Sequence, residues 1–313
     1  MTRQARPTGS PAADEAPYEE FRIPVAGGKL TVLRWPARLP DAPVVLALHG
    51  ITANALSWAR VAHHLAGRVV LVAPDLRGRA GSADVEGPWG IGAHVEDVLA
   101  VMDALGLGRA VLAGHSMGAF VAARTAARHP GRVTSLVLVD GGLGFPAPPG
   151  LDGDELITAV IGPAMRRLSM TFPDRAAYRA FWQAHPAFGA VWSPWVDAYI
   201  QRDLVGGEPE LRSSCRIDAV RADGIQLFDA ETLDAIHRLD CPAELLWAER
   251  GLMDEPQGLY DPQRLADAAL DGTGVVPVPV PETNHYTILV ADDGAGAVAD
   301  RIATAAGPPA PRP

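Results

Sequence analysis

Cysteine is nearly absent. Cys215 and Cys241 are the only two in 313 residues, too few for a disulfide framework or a thiolate metal cluster. They read as two ordinary thiols of a reducing compartment. No stretch is apolar enough for long enough to cross a membrane. The first 17 residues are polar and rich in Pro, Ala and acidic groups, without the apolar core of a signal peptide. A cytoplasmic location with no membrane partner is therefore expected. Basic side chains fall short of acidic ones, 27 against 37, for a formal net charge of -10. That balance disfavours a nucleic-acid partner. The tails, about 1–17 and 307–313, are expected to be disordered.

Apolar residues make up 48% of the chain and charged residues 20%, ordinary values for a globular protein. The length allows one large α/β domain with an insertion. Residues 18–26 and 29–35 read as a hairpin around Gly27-Gly28. Apolar strands follow at 43–48, 68–73, 110–113 and 134–139, and again at 243–247 and 274–280. Helical patterns lie between them, over 58–65, 92–105 and 117–129, with a closing helix over 287–305. Continuous apolar strands alternating with helices predict an α/β fold: a mostly parallel eight-stranded sheet covered by helices. The rhythm breaks over 144–240, where no Val-rich strand occurs and helical stretches carry aromatics such as Trp182 and Trp192. This segment is expected to be a helical cap inserted after the sixth strand, between core segments 18–143 and 241–306. Its aromatics can be the core of a small helical layer, can line a substrate pocket, or both.

Gly114-His115-Ser116-Met117-Gly118 follows the fifth strand and directly precedes a helix. Gly-x-Ser-x-Gly in that setting is a nucleophile elbow, a tight turn that lifts a serine hydroxyl to the top of the sheet near the first N–H groups of a helix. Flanking glycines remove side chains that would clash there. A serine needs a base. His285 qualifies best of the nine histidines, since it lies in a loop after the last strand, in the chain order nucleophile, acid, histidine. After the third strand, His49-Gly50-Ile51 offers a backbone N–H at Ile51. Together with that of Met117 it can form an oxyanion hole. Gly50 and Tyr286 are further pocket candidates. The loop Asp75-Leu76-Arg77-Gly78-Arg79-Ala80-Gly81 either binds an anionic group or, the preferred reading, lets Asp75 and Arg77 fix loops beneath the site.

These residues together resemble the α/β-hydrolase superfamily over about residues 20–305, in its capped group of esterases, lactonases, C–C bond hydrolases, epoxide hydrolases, dehalogenases and cofactor-free haloperoxidases. Ser116 argues against the members that use an aspartate nucleophile. The resemblance implies an acid after the seventh strand, in a pattern like Trp-Gly-Glu-x-Asp. Here the matching residues are Trp247-Ala248-Glu249-Arg250-Gly251, with glycine in the acid's place. Asp140, at the end of the sixth strand, and Asp254, three residues past Gly251, are the alternatives, with Glu249 and Glu255 behind them. A serine hydrolase is expected, cleaving an ester or lactone of a moderately hydrophobic small molecule. It would need no metal or organic cofactor and would be a monomer or homodimer. C–C cleavage, amide or thioester hydrolysis, and perhydrolysis are alternatives on the same residues. A non-catalytic ligand receptor is a rival of another class.

Overall fold

The computed structural model describes residues 17–144, 162, 165–189 and 191–308. The expected terminal disorder and the first part of the cap lie largely outside these residues. The strands before the cap are β1 (Glu19–Val25), β2 (Gly28–Trp35), β3 (Val44–Leu48), β4 (Val70–Pro74), β5 (Ala110–His115) and β6 (Val133–Val139). β10 (Ala243–Arg250) and β11 (Val275–Asn284) follow it. They form one eight-stranded sheet in the order β1-β2-β4-β3-β5-β6-β10-β11. The β1–β2 and β2–β4 pairs are antiparallel, and every other pair is parallel.

Each inner strand is apolar on both faces because each face is covered. Leu33, Val45, Leu71, Val111, Val137 and Leu246 pack on one side with helices α1 (Ala59–Leu65) and α10 (Asp292–Ala306). Leu46, Val72, Leu112, Leu136 and Leu245 pack on the other with α2 (Ile91–Ala104) and α3 (Met117–Arg128). Side chains alternate across a strand, so neighbouring apolar residues feed two separate cores. The closing helix is divided. α9 (Thr287–Val290) ends at Ala291, whose extended backbone (ψ 159°) separates it from α10.

The insertion after β6 carries helices α4 (Arg175–Gln183), α5 (Pro194–Arg202), α6 (Ile217–Gln226) and α7 (Ala230–Asp234). It also holds a three-stranded antiparallel sheet of β7 (Thr171–Phe172), β8 (Leu204–Val205) and β9 (Leu211–Ser213), in the order β7-β9-β8. This sheet departs from the all-helical expectation. Its strands are two or three residues long, too short for a period-two pattern to register.

Buried ion pairs tie cap to core. Arg79, after β4, meets Asp223 of α6 at 2.6 Å, with both side chains fully buried. Asp223 also accepts hydrogen bonds from the Gly90 N–H and His94 Nε2, and these charges hold its carboxyl down at about 2 despite burial. Arg202 of α5 meets Asp75 at 2.6 Å. Asp75 accepts from the N–H groups of Ala55 and Gly81, while Arg77 pairs with Asp97. The Asp75–Arg79 loop is thus occupied by its own chain, as the preferred reading anticipated. Removing one member of a buried pair leaves the other charge uncompensated, at a cost of about 3–5 kcal/mol. Asp223→Ala is expected to lose that much stability in equilibrium urea unfolding. A loss below about 1 kcal/mol would show that the pair does not hold the cap.

Candidate active site

Ser116 stands between β5 and α3 with φ 53° and ψ −123°, a conformation a non-glycine residue adopts only under constraint. Tight packing supplies the constraint. A Cβ on Gly114 would lie 2.3 Å from the Gly118 carbonyl oxygen, and one on Gly118 would lie 2.2 Å from that of Leu48. Only glycine lets α3 start this close to β3. Met117 is the first residue of α3, so its N–H has no acceptor in its own helix.

His285 follows β11, and the local sequence pins it there. Asn284 Oδ1 accepts from the N–H groups of Tyr286 and Thr287, both at 2.9 Å, and the Asn284 N–H donates to Thr287 Oγ1 at 2.7 Å. This side-chain capping holds the turn without secondary structure. The Asn284 amide also donates to the cap at the Ala187 carbonyl and to Asp254 Oδ1, each at 3.1 Å.

The two candidate acids separate clearly. Asp140 is fully buried, and its Oδ2 lies 2.6 Å from His285 Nδ1. Its Oδ1 accepts from the Ala248 N–H at 3.1 Å. A buried carboxylate needs such partners. With Nδ1–H committed to Asp140, Nε2 becomes the basic nitrogen of the ring. Asp254 instead pairs with Arg250 at 2.8 Å, its side chain 37% exposed, and reaches His285 only through Asn284. Hydrogen bonds from Arg250 and Asn284 lower its carboxyl below the usual range.

Ser116, His285, Gly50, Ile51 and Tyr286 line one cavity of about 50 Å³. A Cβ on Gly50 would lie 3.3 Å from Ser116 Cβ, so this loop passes close beside the serine. Trp182 and Trp192, expected at the pocket, do not line it. Trp182 is buried inside the cap against Tyr178, Phe181 and Phe188, with Arg167 over its ring. Trp192 packs half-buried on the same core. Tyr199, Leu252, Leu289 and Val290 line the cavity in their stead, with Ser57 and His115. Tyr199, Leu289 and Val290 lie on helices and Leu252 in a turn after β10, and which of their side chains meet the cavity depends on packing. The Asn284–Thr287 spacing, in contrast, is a local capping signal available in the sequence. Elsewhere in the cap, Asp203 is ringed by Arg167, Tyr178, Ser213 and Ser214, a buried cluster that secures the cap to the Thr52 carbonyl through Arg167. Among the described residues no group of three or more His, Cys, Asp or Glu is placed to hold a metal ion, and no helix is long and apolar enough to cross a membrane.

His49 fixes the loop beside the serine. Its Nδ1–H donates to the Gly50 carbonyl at 2.8 Å, and its Nε2 accepts from the Leu76 N–H at 2.9 Å. Both bonds require the neutral ring, and complete burial lowers its pKa to about 4.

The α/β hydrolase fold family matches over residues 43–193. Lipase LipV of Mycobacterium tuberculosis (strain ATCC 25618 / H37Rv) is 36% identical over 170 residues, 53% of this chain and 59% of that protein. The 2-(acetamidomethylene)succinate hydrolase of Mesorhizobium japonicum is 33% identical over 98 residues, 31% of this chain and 35% of that one. A crystal structure of E-2-(acetamidomethylene)succinate hydrolase superposes with a TM-score of 0.73 at 21% identity, covering 90% of this chain and 98% of that one. The matches span only 29% to 59% of the length of the first curated relatives.

The pH dependence of stability follows from His49. Its folded pKa lies below the ordinary value of about 6.5, so the unfolded chain takes up the proton first as pH falls. The contribution is complete above about pH 6.5 and is lost as pH falls toward 4, a total of roughly 3 kcal/mol. Urea unfolding at pH 7.5, 6.0 and 4.5 is expected to show a shallower pH slope for His49→Gln than for the wild type. Equal slopes would remove His49 as the cause.

Proposed function

We propose, given that this chain has the α/β-hydrolase superfamily fold, that it is an enzyme hydrolysing a small organic carbonyl compound through Ser116, His285 and Asp140. The observation that carries the reading is the 2.6 Å contact of His285 Nδ1 with the fully buried Asp140. Ser116 and His285 also share one cavity. His285 Nε2 takes the Ser116 Oγ proton as Oγ attacks the carbonyl carbon. The Ile51 and Met117 N–H groups stabilise the oxyanion. As the tetrahedral intermediate collapses, His285 returns the proton to the leaving group. Water, deprotonated by the same nitrogen, then attacks the acyl-enzyme and releases the acid and Ser116. Asp140 holds the imidazole in the required tautomer and stabilises the imidazolium. This triad suits an ester or lactone.

A wider chemistry on the same triad has the stronger support. One relative is a lipase by name, and the other is named for 2-(acetamidomethylene)succinate, a compound with an amide and no ester. The cavity lining is mostly apolar, which suits an apolar substrate flank in C–C cleavage and perhydrolysis as well as in acyl transfer.

A fluorophosphonate probe is expected to label Ser116, and Ser116→Ala is expected to abolish both labelling and turnover of p-nitrophenyl acetate. Asp140→Asn should lower kcat by roughly 10³–10⁴-fold. Asp254→Asn should stay within about tenfold of wild type, because its contact with the base is indirect. The reverse order of the two aspartates, or full activity in Ser116→Ala, would sink the proposed triad.

A further inference from the structure

Arg79, in the loop after β4, is fully buried, and its guanidinium serves two sets of partners. Nη1 meets the Asp223 carboxylate of the cap at 2.6 Å and the Arg77 carbonyl at 2.8 Å. Nε donates to the Ile51 carbonyl at 2.9 Å. The ion pair between cap and core therefore continues into Ile51, the residue whose N–H belongs to the oxyanion hole of the proposed reaction.

The direction of that N–H is open to change unless something holds it. The Gly50 carbonyl and the Ile51 N–H belong to one rigid trans peptide and point in opposite directions. Gly50 has the freest backbone of any residue type, so a paired rotation at Gly50 ψ and Ile51 φ would turn the plane and redirect the N–H. Anchors on both sides of the Ile51 Cα oppose this. On one side the Gly50 carbonyl accepts from His49 Nδ1–H at 2.8 Å and from the Ala53 N–H at 3.1 Å. On the other the Ile51 carbonyl accepts from Arg79. Arg167 of the cap continues the series at the Thr52 carbonyl, 3.3 Å away. A charged donor makes the Ile51 anchor strong, and Asp223 compensates a charge that burial alone would disfavour. Resting on the triad and oxyanion-hole reading above, we infer that Arg79 is a positioning residue: through the Ile51 carbonyl it fixes the direction in which the Ile51 N–H meets the developing oxyanion. Its effect falls on the transition state, where that oxygen carries charge, and not on substrate binding.

A thionoester reads this alignment. Its sulfur accepts hydrogen bonds more weakly than a carbonyl oxygen and lies farther from carbon, so an aligned oxyanion hole favours the ester. The readout is the kcat/KM ratio of p-nitrophenyl acetate to p-nitrophenyl thionoacetate in wild type divided by the same ratio in each variant, which cancels intrinsic reactivities. Arg79→Lys puts a methylene where Nε donates and keeps a cation within reach of Asp223. Deleting an oxyanion donor costs roughly 10²–10³-fold in kcat, so misdirecting one should lower the ratio by about tenfold, through kcat with KM little changed. Asp223→Asn weakens the same ion pair but leaves the Nε contact, so it should lower the melting temperature and keep the ratio within about threefold of wild type. If Arg79→Lys fails a thermal-melting check, Arg79→Met combined with Asp223→Asn replaces it, since that removes both buried charges together, and Asp223→Asn alone becomes its reference. A fall of less than about threefold on changing Arg79, or an equal fall in Asp223→Asn alone, in a protein whose Ser116 is labelled by fluorophosphonate, would overturn the role of Arg79 alone. Absence of both labelling and turnover in the wild type would overturn the triad reading, and this inference with it.

Discussion

The Asp140 carboxylate is fully buried, and its oxygens are met by the His285 imidazole and the Ala248 N–H. Much of the active end of the sheet is arranged around that requirement. β6 and β10 lie side by side in parallel, so the end of β6 delivers the carboxylate while β10 delivers the N–H that receives it. β11 lies on the far side of β10 and brings His285 over the same point. Burial makes the pairing stringent, since an ionised group removed from water tolerates no loss of its few partners. The tautomer of His285, and with it the direction of the basic nitrogen, follows from this contact. The reaction proposed above inherits its geometry from it.

The remaining histidines near the serine are held neutral by the same physics applied in reverse. His49 and His115 are both buried, and desolvation pushes both below the ordinary range. His115 Nε2 donates to the His285 carbonyl at 2.8 Å, so it supports the loop without adding a charge beside the base. Three imidazoles thus crowd one cavity region, yet one alone has a carboxylate for a partner.

Much of this was legible in the sequence, and the rest was not for definable reasons. The inner strands show as unbroken apolar runs because both sheet faces are covered, and the elbow shows because glycines are sterically required at 114 and 118. The choice between Asp140 and Asp254 was not legible. Both follow strands that end near His285, and only burial and the 2.6 Å contact separate them. The three-stranded cap sheet was hidden by the brevity of its strands. Trp182 drew attention by size and composition, but its ring is spent inside the cap.

The ion pairs between cap and core bear on whether the two parts are interchangeable pieces. Asp75 and Arg79 belong to the core, yet their countercharges, Arg202 and Asp223, come from the cap. The core alone would keep backbone partners for both groups but would carry one buried carboxylate and one buried guanidinium with no countercharge. Exchanging this cap for another to change substrate range is therefore not a free graft. A foreign cap must bring an arginine and an aspartate to the same two positions, or the core must be rewritten at 75 and 79 to receive it.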